Sequence, residues 1–350
     1  MSSSTSPTRL EPATTDALLA ISMGDPCGIG PEIIVKAATQ GAAGPHVVVG
    51  DVGVLTRAAQ ALGDAWPVHR VSDLTELGAL PPHCIPVWEP PGLPAGLLDL
   101  PLGRVAARAG AAAAACIVGA VDLVQRGIAR GLVTAPIHKK AFAAAGVNHP
   151  GHTEMLQELA ARAGQPCEVR MMLANDELRV VLVTVHLALR DAIVAVTRER
   201  VLQTLLIAHA SAAAWGMAAP RIAVAGLNPH AGEGGLFGDE EVRHIAPAIA
   251  DARLLSIDAS GPFAPDTVFM RARHVAGHAG EFDLVLAMTH DHGLIPVKYL
   301  GVEQGVNVTL GLPFVRTSPD HGTAFDLAGS GRADPSSLVA AIAMARRLLP

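Results

Sequence analysis

Three histidines stand at or just beyond the carboxyl ends of apolar runs in this sequence. They are His186 after Val180–Val185, His230 shortly after Ile222–Leu227, and His290 after Leu284–Thr289. Such runs of Val, Ile and Leu are typical of strands buried on both faces of a parallel sheet. Ligands gather at the carboxyl ends of these strands, so three imidazoles there can converge on one metal and leave positions open for a substrate. A single strand-end histidine needs no such explanation, but the threefold repetition favours a metal site.

Two further polar segments carry residues that chemistry could use. Gly151–Glu154 precedes a helical stretch, where Thr153 either caps the helix, with His152 incidental, or both side chains face a ligand. Asn228–Gly235 is a glycine-rich loop directly after a predicted strand, and loops there often carry function. Asp291 is open to three interpretations: a ligand, a partner that orients an imidazole, or a solvated surface charge.

Basic and amide side chains near the end of the chain are candidates for holding an anionic group. Arg316 offers a bidentate fork, Lys298 a point charge and Asn307 an amide, although scattered basic residues are more often solvated. Pro319–Gly329 is expected to be a loop leading into a short helix. In it, His321 and Gly322 either support a nucleotide or form a plain turn.

Strand-like and helix-like segments alternate along the chain, which indicates an α/β protein with a mostly parallel sheet. Gly24–Glu32 lies between a predicted strand and helix, but it lacks the G-x-G-x-x-G dinucleotide fingerprint and is either a tight turn or an anion site at the helix start. Val169–Leu173 and Arg179–Val185 are predicted to form a hairpin. Asp239 is predicted to cap a helix that runs to about residue 254.

The composition predicts a sizeable core and excludes several classes of protein. Half of the 350 residues are apolar and 17% are charged, while the net charge of −6 argues against a general binder of nucleic acid or anionic membranes. The longest apolar stretch, Ala109–Val121, is too short to span a bilayer and is expected to be a buried helix. The scattered cysteines fit reduced thiols in a cytoplasmic enzyme, and residues 1–17 are expected to be a loose tail.

Taken in order, these motifs resemble the 4-hydroxythreonine-4-phosphate dehydrogenase family of pyridoxal phosphate biosynthesis. The resemblance covers nearly the whole chain, and its most specific segments are Gly151–Glu154, Asn228–Glu233 and Gly311–Ser318. It implies a metal- and NAD-dependent (or NADP-dependent) oxidative decarboxylase that is a homodimer with a shared active site, in which His290 would come from the second subunit. Carried over to matching positions, the metal ligands are His186, His230 and His290, and the substrate residues are His152, Thr153, Lys298, Asn307 and Arg316.

The segment from His321 to Gly329 is also similar to the nucleotide loop of isopropylmalate and isocitrate dehydrogenases. The resemblance therefore implies their two-domain α/β fold, which has no dinucleotide fingerprint, and a cofactor site at His321, Gly322, Thr323 and Asp326. The expected domains are residues 18–135 with 300–350 for the nucleotide, and residues 136–299 for the metal, the substrate and dimerisation.

The chain departs from the family pattern in one place. Thr289-His290-Asp291-His292-Gly293 stands where the family usually has Tyr-His-Asp-Gln-Gly. Two other segments, Leu236–Glu241 and Ile295–Lys298, look more like the catabolic paralogues that oxidise 4-phosphothreonate or 4-phosphoerythronate. The expected reaction converts 4-(phosphooxy)-L-threonine to 3-amino-2-oxopropyl phosphate, CO2 and NADH, with 4-phospho-D-threonate or 4-phospho-D-erythronate as the alternative substrate.

The sequence leaves the identity of the metal and of the general base open. Three imidazoles suit Zn2+, Co2+ or Mn2+, and Mg2+ where substrate oxygens complete the shell. The general base is one of Lys298, Asp266 and Asp291. A three-histidine zinc hydrolase, which would turn over without NAD, and a non-catalytic metabolite-binding protein are the alternatives from other classes.

Overall fold

The computed structural model of the protein describes residues 17–63 and 65–349. Residues 1–16 of the predicted loose tail lie outside this part. Within it, the strands in chain order are β1 (Leu19–Ser22), β2 (His46–Val49), β3 (Val68–Arg70), β4 (Ile85–Trp88), β5 (Gly131–Thr134), β6 (Arg170–Ala174), β7 (Arg179–Leu182), β8 (Ile222–Ala225), β9 (Ala259–Phe263), β10 (Leu284–Ala287), β11 (Val306–Leu310) and β12 (Val315–Pro319).

The α-helices alternate with these strands, as the sequence pattern predicts. In the described residues they are α1 (Gly30–Thr39), α2 (Val52–Leu62), α3 (Ala107–Gln125), α4 (Lys139–Ala144), α5 (His152–Arg162), α6 (Leu189–Ala195), α7 (Arg198–Ala214), α8 (Ala246–Leu254), α9 (Val268–Ala272), α10 (His290–Tyr299) and α11 (Ser336–Leu348).

The described chain divides into two compact units. The terminal unit contains the described residues up to Cys167 together with Leu312–Leu349, and the central unit contains Glu168–Gly311. These boundaries lie further along the chain than those expected at residues 136 and 300. The assignment of the nucleotide to one domain and of the metal to the other stays a prediction.

In the terminal unit the strands lie in the order β3-β4-β2-β1-β5-β12, and every neighbouring pair is parallel. The chain leaves β1 for β2 on one side, whereas β5 lies on the other side of β1. This reversal is a topological switch point, and ligands of open α/β sheets bind in the crevice that such a reversal creates.

In the central unit the order is β11-β6-β7-β10-β8-β9. The β11–β6 and β6–β7 pairs are antiparallel, and β7, β10, β8 and β9 are parallel. The predicted hairpin is therefore confirmed as β6–β7, and its turn is closed by the Asn175 side chain, which accepts hydrogen bonds from the amides of Glu177 and Leu178. The parallel strands bring the carboxyl ends of β7, β10 and β8 to one edge of the sheet.

The structure decides three local interpretations of helix starts and loops. Thr153 does not cap α5, because the helix already includes His152 and its flanking residue is Gly151. The helix predicted after Asp239 is confirmed: the helical run begins at Glu240, passes through a wide turn over Glu241–Ile245 and ends at Leu254. Asp239 directly precedes it, and its carbonyl accepts a hydrogen bond from the amide of Arg243 at 2.9 Å. The loop from Pro319 to Gly329 continues through turns to α11, which spans 13 residues, rather than into a short helix.

Helix α3 is the expected buried helix. By length and composition it is the one helix in residues 17–63 and 65–349 that is apolar enough to cross a membrane. Cys116, Ile117 and Leu123 on it are fully buried, and the helix packs against β1, β5 and α4. Its apolar character is therefore accounted for by its place in the core of the terminal unit.

Candidate active site

The ends of β7 and β10 bring two of the three predicted metal ligands together within one chain. Beyond the paired strands, the amide and the Oγ1 atom of Thr184 both donate to the carbonyl of Met288, at 3.2 and 2.7 Å. Thr184 is 3% exposed, so this tie is buried. Two residues further along each segment, the imidazole rings of His186 and His290 lie 5.6 Å apart, centroid to centroid.

The chemistry of this pair fits a divalent metal. Nδ1 of His290 lies 2.7 Å from Oδ1 of Asp291, an arrangement that orients the ring and leaves Nε2 available as a ligand. His186 has a φ of +48°, a left-handed conformation rare for residues other than glycine and often found where function requires it. Of the three interpretations of Asp291, the geometry matches the one in which it orients an imidazole.

His230 lies after β8 in a different kind of segment. It is exposed and belongs to a run of six residues with positive φ, from His230 to Gly235. Within the described residues, no group of three or more His, Cys, Asp or Glu side chains is close enough to hold a metal ion. The structure thus joins His186 and His290, and it places His230 on a separate, tightly held turn.

In the terminal unit, Arg316 and His152 form a second cluster. The guanidinium of Arg316, on β12, is 3% exposed and donates to Oγ1 of Thr134 at 2.6 Å. Burial lowers the pKa of Arg316 to about 10, so the side chain stays protonated at neutral pH. Burial, together with the charge of Arg316, holds the pKa of His152 well below its usual value, so this imidazole is neutral. We call Thr134, His152 and Arg316 the Arg316 cluster.

A buried arginine beside a neutral imidazole is suited to an anion. Nε2 of His152 is buried and has no hydrogen-bond partner in the described part of the chain. A desolvated guanidinium forms strong charge-assisted bonds to phosphate or carboxylate oxygens. Thr134 was not among the predicted residues, and Thr153, in the first turn of α5, is partly buried beside His152.

The other predicted substrate and base residues lie in the central unit. Lys298 is on α10, two turns beyond His290, and Asn307 is on β11 opposite Leu173 of β6. Asp266 is exposed in the turn before α9. None of these positions identifies a general base.

The predicted nucleotide loop packs against the glycine-rich turn that follows β1. The carbonyl of Thr323 accepts a hydrogen bond from the amide of Ile29 at 3.0 Å, and a Cβ atom on Gly28 would lie 2.9 Å from Thr323. Thr323 is buried, whereas Gly322 and Asp326 are exposed. Nε2 of His321 is buried without a partner among the described residues, so this loop fits a group that offers a hydrogen bond.

Sequence reasoning missed a carboxyl group at the switch point between β1 and β5. Asp25 is fully buried, and its Oδ1 accepts a hydrogen bond from the amide of Cys27 at 2.9 Å. Burial raises the pKa of Asp25, and the Cys27 amide and the nearby His138 partly offset that rise. The ring of His138 is stacked on Phe325 of the nucleotide loop, with centroids 4.7 Å apart. One signal was available in the sequence: His138 follows the apolar strand β5, just as the predicted metal ligands follow their strands.

Comparison with known proteins decides the family. The model of the family described as pyridoxal phosphate biosynthetic protein PdxA matches residues 42–345. The chain belongs to this family. It is 53% identical over 335 residues to a 4-hydroxythreonine-4-phosphate dehydrogenase of Beijerinckia indica, covering 95% of each chain. It is 43% identical to a D-threonate 4-phosphate dehydrogenase of Salmonella typhimurium, covering 94% of this chain and 98% of the relative.

A solved structure of the pyridoxal phosphate biosynthetic protein family shares the fold. The 4-hydroxythreonine-4-phosphate dehydrogenase of Klebsiella pneumoniae superimposes with a TM-score of 0.86 at 40% identity, covering 95% of this chain and 98% of that chain. The predicted family and the mostly parallel α/β fold are therefore confirmed. Because its relatives are dehydrogenases, the chain is an oxidoreductase acting on a CH–OH group, and the zinc-hydrolase alternative is not supported.

Proposed function

We propose that this protein catalyses the NAD-dependent oxidation and decarboxylation of a short phosphorylated hydroxy acid, with 4-(phosphooxy)-L-threonine as the first choice of substrate. The observation that carries the proposal is the Arg316 cluster, a desolvated cation beside a neutral imidazole in a chain of the dehydrogenase family. A phosphate needs such donors once it leaves water. In this proposal Thr153, Lys298 and Asn307 complete the contacts to the substrate.

We assign the metal to His186, His230 and His290, with Zn2+, Co2+, Mn2+ or Mg2+ as the ion. His186 and His290 are adjacent in one chain, and Asp291 orients His290. If the site is shared across a homodimer, the adjacency of His186 and His290 in one chain favours His230 as the residue that comes from the partner, whereas the family resemblance implies His290. Three neutral ligands leave room for substrate oxygens.

A divalent metal held by His186, His230 and His290 would polarise the reacting hydroxyl, and a dinucleotide held at the loop of His321 would supply the hydride acceptor. The Arg316 cluster binds the phosphate of the substrate through charge-assisted hydrogen bonds. Oxidation next to the carbon that bears the carboxylate gives a β-keto acid, which loses CO2. His152 stays neutral throughout and acts as a hydrogen-bonding group for the phosphate.

We propose that the dinucleotide, NAD or NADP, binds at the loop of His321, Gly322, Thr323 and Asp326. Support comes from the unpartnered Nε2 of His321 and from the close packing of Thr323 on the turn after β1. A mostly apolar cavity lined by Pro26, Arg57 and Leu102 lies in the same unit, beside Gly329 at the end of this loop.

We propose that the working form is a homodimer in the cytoplasm. The central unit carries a set of exposed large apolar side chains that a second copy would cover. The set includes Leu189 and Val194 on α6, Leu236, Ile295 and Tyr299, each more than half exposed. Several of them flank the segments that carry His186, His230 and His290, so a dimer formed through them would lie close to the metal ligands.

The test is a direct comparison of substrates. The purified protein, supplied with each divalent metal in turn and with NAD or NADP, is given 4-(phosphooxy)-L-threonine, 4-phospho-D-threonate and 4-phospho-D-erythronate, and the NADH absorbance and the CO2 released are measured. We expect equimolar NADH and CO2, fastest with the amino acid. A preference for the threonate, which the Salmonella relative's name makes the second candidate, would overturn the choice of substrate. Turnover without NAD would overturn the reaction.

A further inference from the structure

We propose that Glu241 is a positioning residue that holds His230 in place for the metal, and this inference rests on the metal assignment made in the proposed function. Glu241 stands at the start of the wide helical turn after the loop that carries His230. It is 2% exposed, which is unusual for a glutamate and calls for partners.

The carboxylate of Glu241 closes the beginning of the loop. Its Oε1 accepts hydrogen bonds from the backbone amides of Leu227 and Asn228, each at 2.7 Å. Its Oε2 accepts a third from Nδ2 of Asn228, at 2.9 Å. Both backbone donors lie at the exit of β8, directly before Pro229 and His230. One carboxylate therefore fixes the direction in which the chain leaves the sheet.

The loop that it fixes has an unfavourable backbone. His230, Ala231 and Glu233 have φ values of 53°, 54° and 45°, and Gly232 and Gly234 between and after them are also positive. Each left-handed residue other than glycine costs free energy, so a run of this kind persists only where its surroundings determine it. The placement of His230 is therefore not a local preference of its own sequence.

Close packing around the carboxylate of Glu241 holds the loop in this conformation. A Cβ atom on Gly232 would lie 2.7 Å from Oε2 of Glu241, and one on Gly226 would lie 2.8 Å from Cα of Ala231. The loop is folded back against the strand exit with Glu241 at its centre. Without the carboxylate, the loop can leave the left-handed conformation. Part of the free energy of metal binding is then used to restore that conformation, so the affinity for the metal falls.

Glu240 provides a matched control. Its Oε2 accepts from the same Nδ2 atom of Asn228, at 2.7 Å, but it holds no backbone amide of the strand exit. Glu240→Gln and Glu241→Gln remove the same charge from neighbouring positions. Only the second weakens the acceptor of Leu227 and Asn228 and turns an amide donor toward Asn228.

The experiment measures Co2+ binding to the metal-free protein. The visible absorption of bound Co2+ reports its ligands, and a titration gives the affinity. We expect Glu241→Gln to lower the affinity about tenfold and to change the spectrum, Glu241→Ala to lower it further, and Glu240→Gln to stay within about twofold of wild type. At saturating Co2+ the kcat of Glu241→Gln should return to the wild-type value, whereas a merely structural role would lower kcat at every Co2+ concentration.

Three outcomes are distinguishable. A folded Glu241→Gln variant with wild-type Co2+ affinity and spectrum would overturn the positioning role, and it decides the matter even if Glu241→Ala does not fold. A His230→Ala variant that binds Co2+ like wild type would overturn the metal assignment itself. Loss of binding in both His230→Ala and Glu241→Gln, with Glu240→Gln unaffected, would support both.

Discussion

Burial decides the protonation states of the charged and polar residues in the Arg316 cluster. Arg316 keeps its proton at neutral pH, even though burial lowers its pKa to about 10, and His152 stays neutral. A folded protein that holds a histidine neutral loses stability in acid, because the unfolded chain takes up the proton at its ordinary pKa of about 6.5 and the folded chain does not.

His152 therefore has a measurable effect on stability as a function of pH. Its contribution is fully present above pH of about 6.5 and is lost as the pH falls below that value, by at most about 1.4 kcal/mol per pH unit. His152→Gln should flatten the fall in the free energy of unfolding between neutral and mildly acidic pH.

His46 is a matched control, because burial lowers its pKa as well. His46→Gln should also flatten the curve but leave the KM for substrate unchanged. An unchanged slope in His152→Gln would contradict the neutral state.

Arg316 should be intolerant of even a conservative change. Lys keeps the charge but lacks the fork that reaches Thr134 and a phosphate together, so Arg316→Lys should weaken substrate binding by about 2 kcal/mol, or roughly 30-fold in KM. The affinity for Co2+ should hardly change. Arg126→Lys, on the exposed end of α3 beside Asp122, is the control and should leave KM unchanged. A KM for Arg316→Lys within threefold of wild type would remove Arg316 from the phosphate site.

At the scale of elements, strand ends place the chemistry. His186 and His290 meet because β7 and β10 are parallel neighbours, and because Thr184 ties the two segments together beyond the last paired residues. Their own side chains do not determine this approach. The buried hydrogen bond from Thr184 to Met288 should accordingly affect metal binding as well as stability.

Thr184→Val tests this point. It removes the Oγ1 donor at nearly constant volume, so we expect about 1 kcal/mol less stability and a several-fold weaker Co2+ affinity. Thr317 is the control, because it is also buried and donates to a backbone carbonyl, that of Ala341, at 2.8 Å in the terminal unit. Thr317→Val should lose similar stability with no change in Co2+ affinity. Equal Co2+ affinities in the two variants would show that the tie has no role in placing His186.

Element type was readable from the sequence, but the contacts around the site were not. Apolar runs and glycine punctuation predicted the strands that end near His186, His230 and His290 to within a few residues. Thr134 was missed because its partner, Arg316, lies 182 residues away along the chain. The role of Glu241 as acceptor of the strand-exit amides was missed, because a run of acidic residues does not reveal which of them is buried.

At the scale of the whole molecule, the exposed apolar side chains of the central unit favour a second copy as their partner. Residues 168–311 carry most of the large apolar side chains that are exposed among the described residues. A homodimer would bury them, so we expect the protein to be dimeric in solution at micromolar concentration. Sedimentation or light scattering of the wild-type protein measures this directly, and a monomer with full activity would contradict a shared site.

Mixing inactive variants identifies which histidine crosses the dimer. If His186 and His290 serve one metal from one chain and His230 comes from the other, a heterodimer of His186→Ala and His230→Ala has one site with every native ligand. The same holds for His290→Ala mixed with His230→Ala. In contrast, His186→Ala mixed with His290→Ala damages both sites.

After subunit exchange, verified by mass, we expect activity to return in the first two mixtures and not in the third. For random exchange of equal amounts, the recovered activity should reach up to about one quarter of the wild-type value. Recovery only in mixtures that contain His290→Ala would make His290 the residue from the partner, despite its 5.6 Å approach to His186. Recovery in none of them would place all three ligands in one subunit.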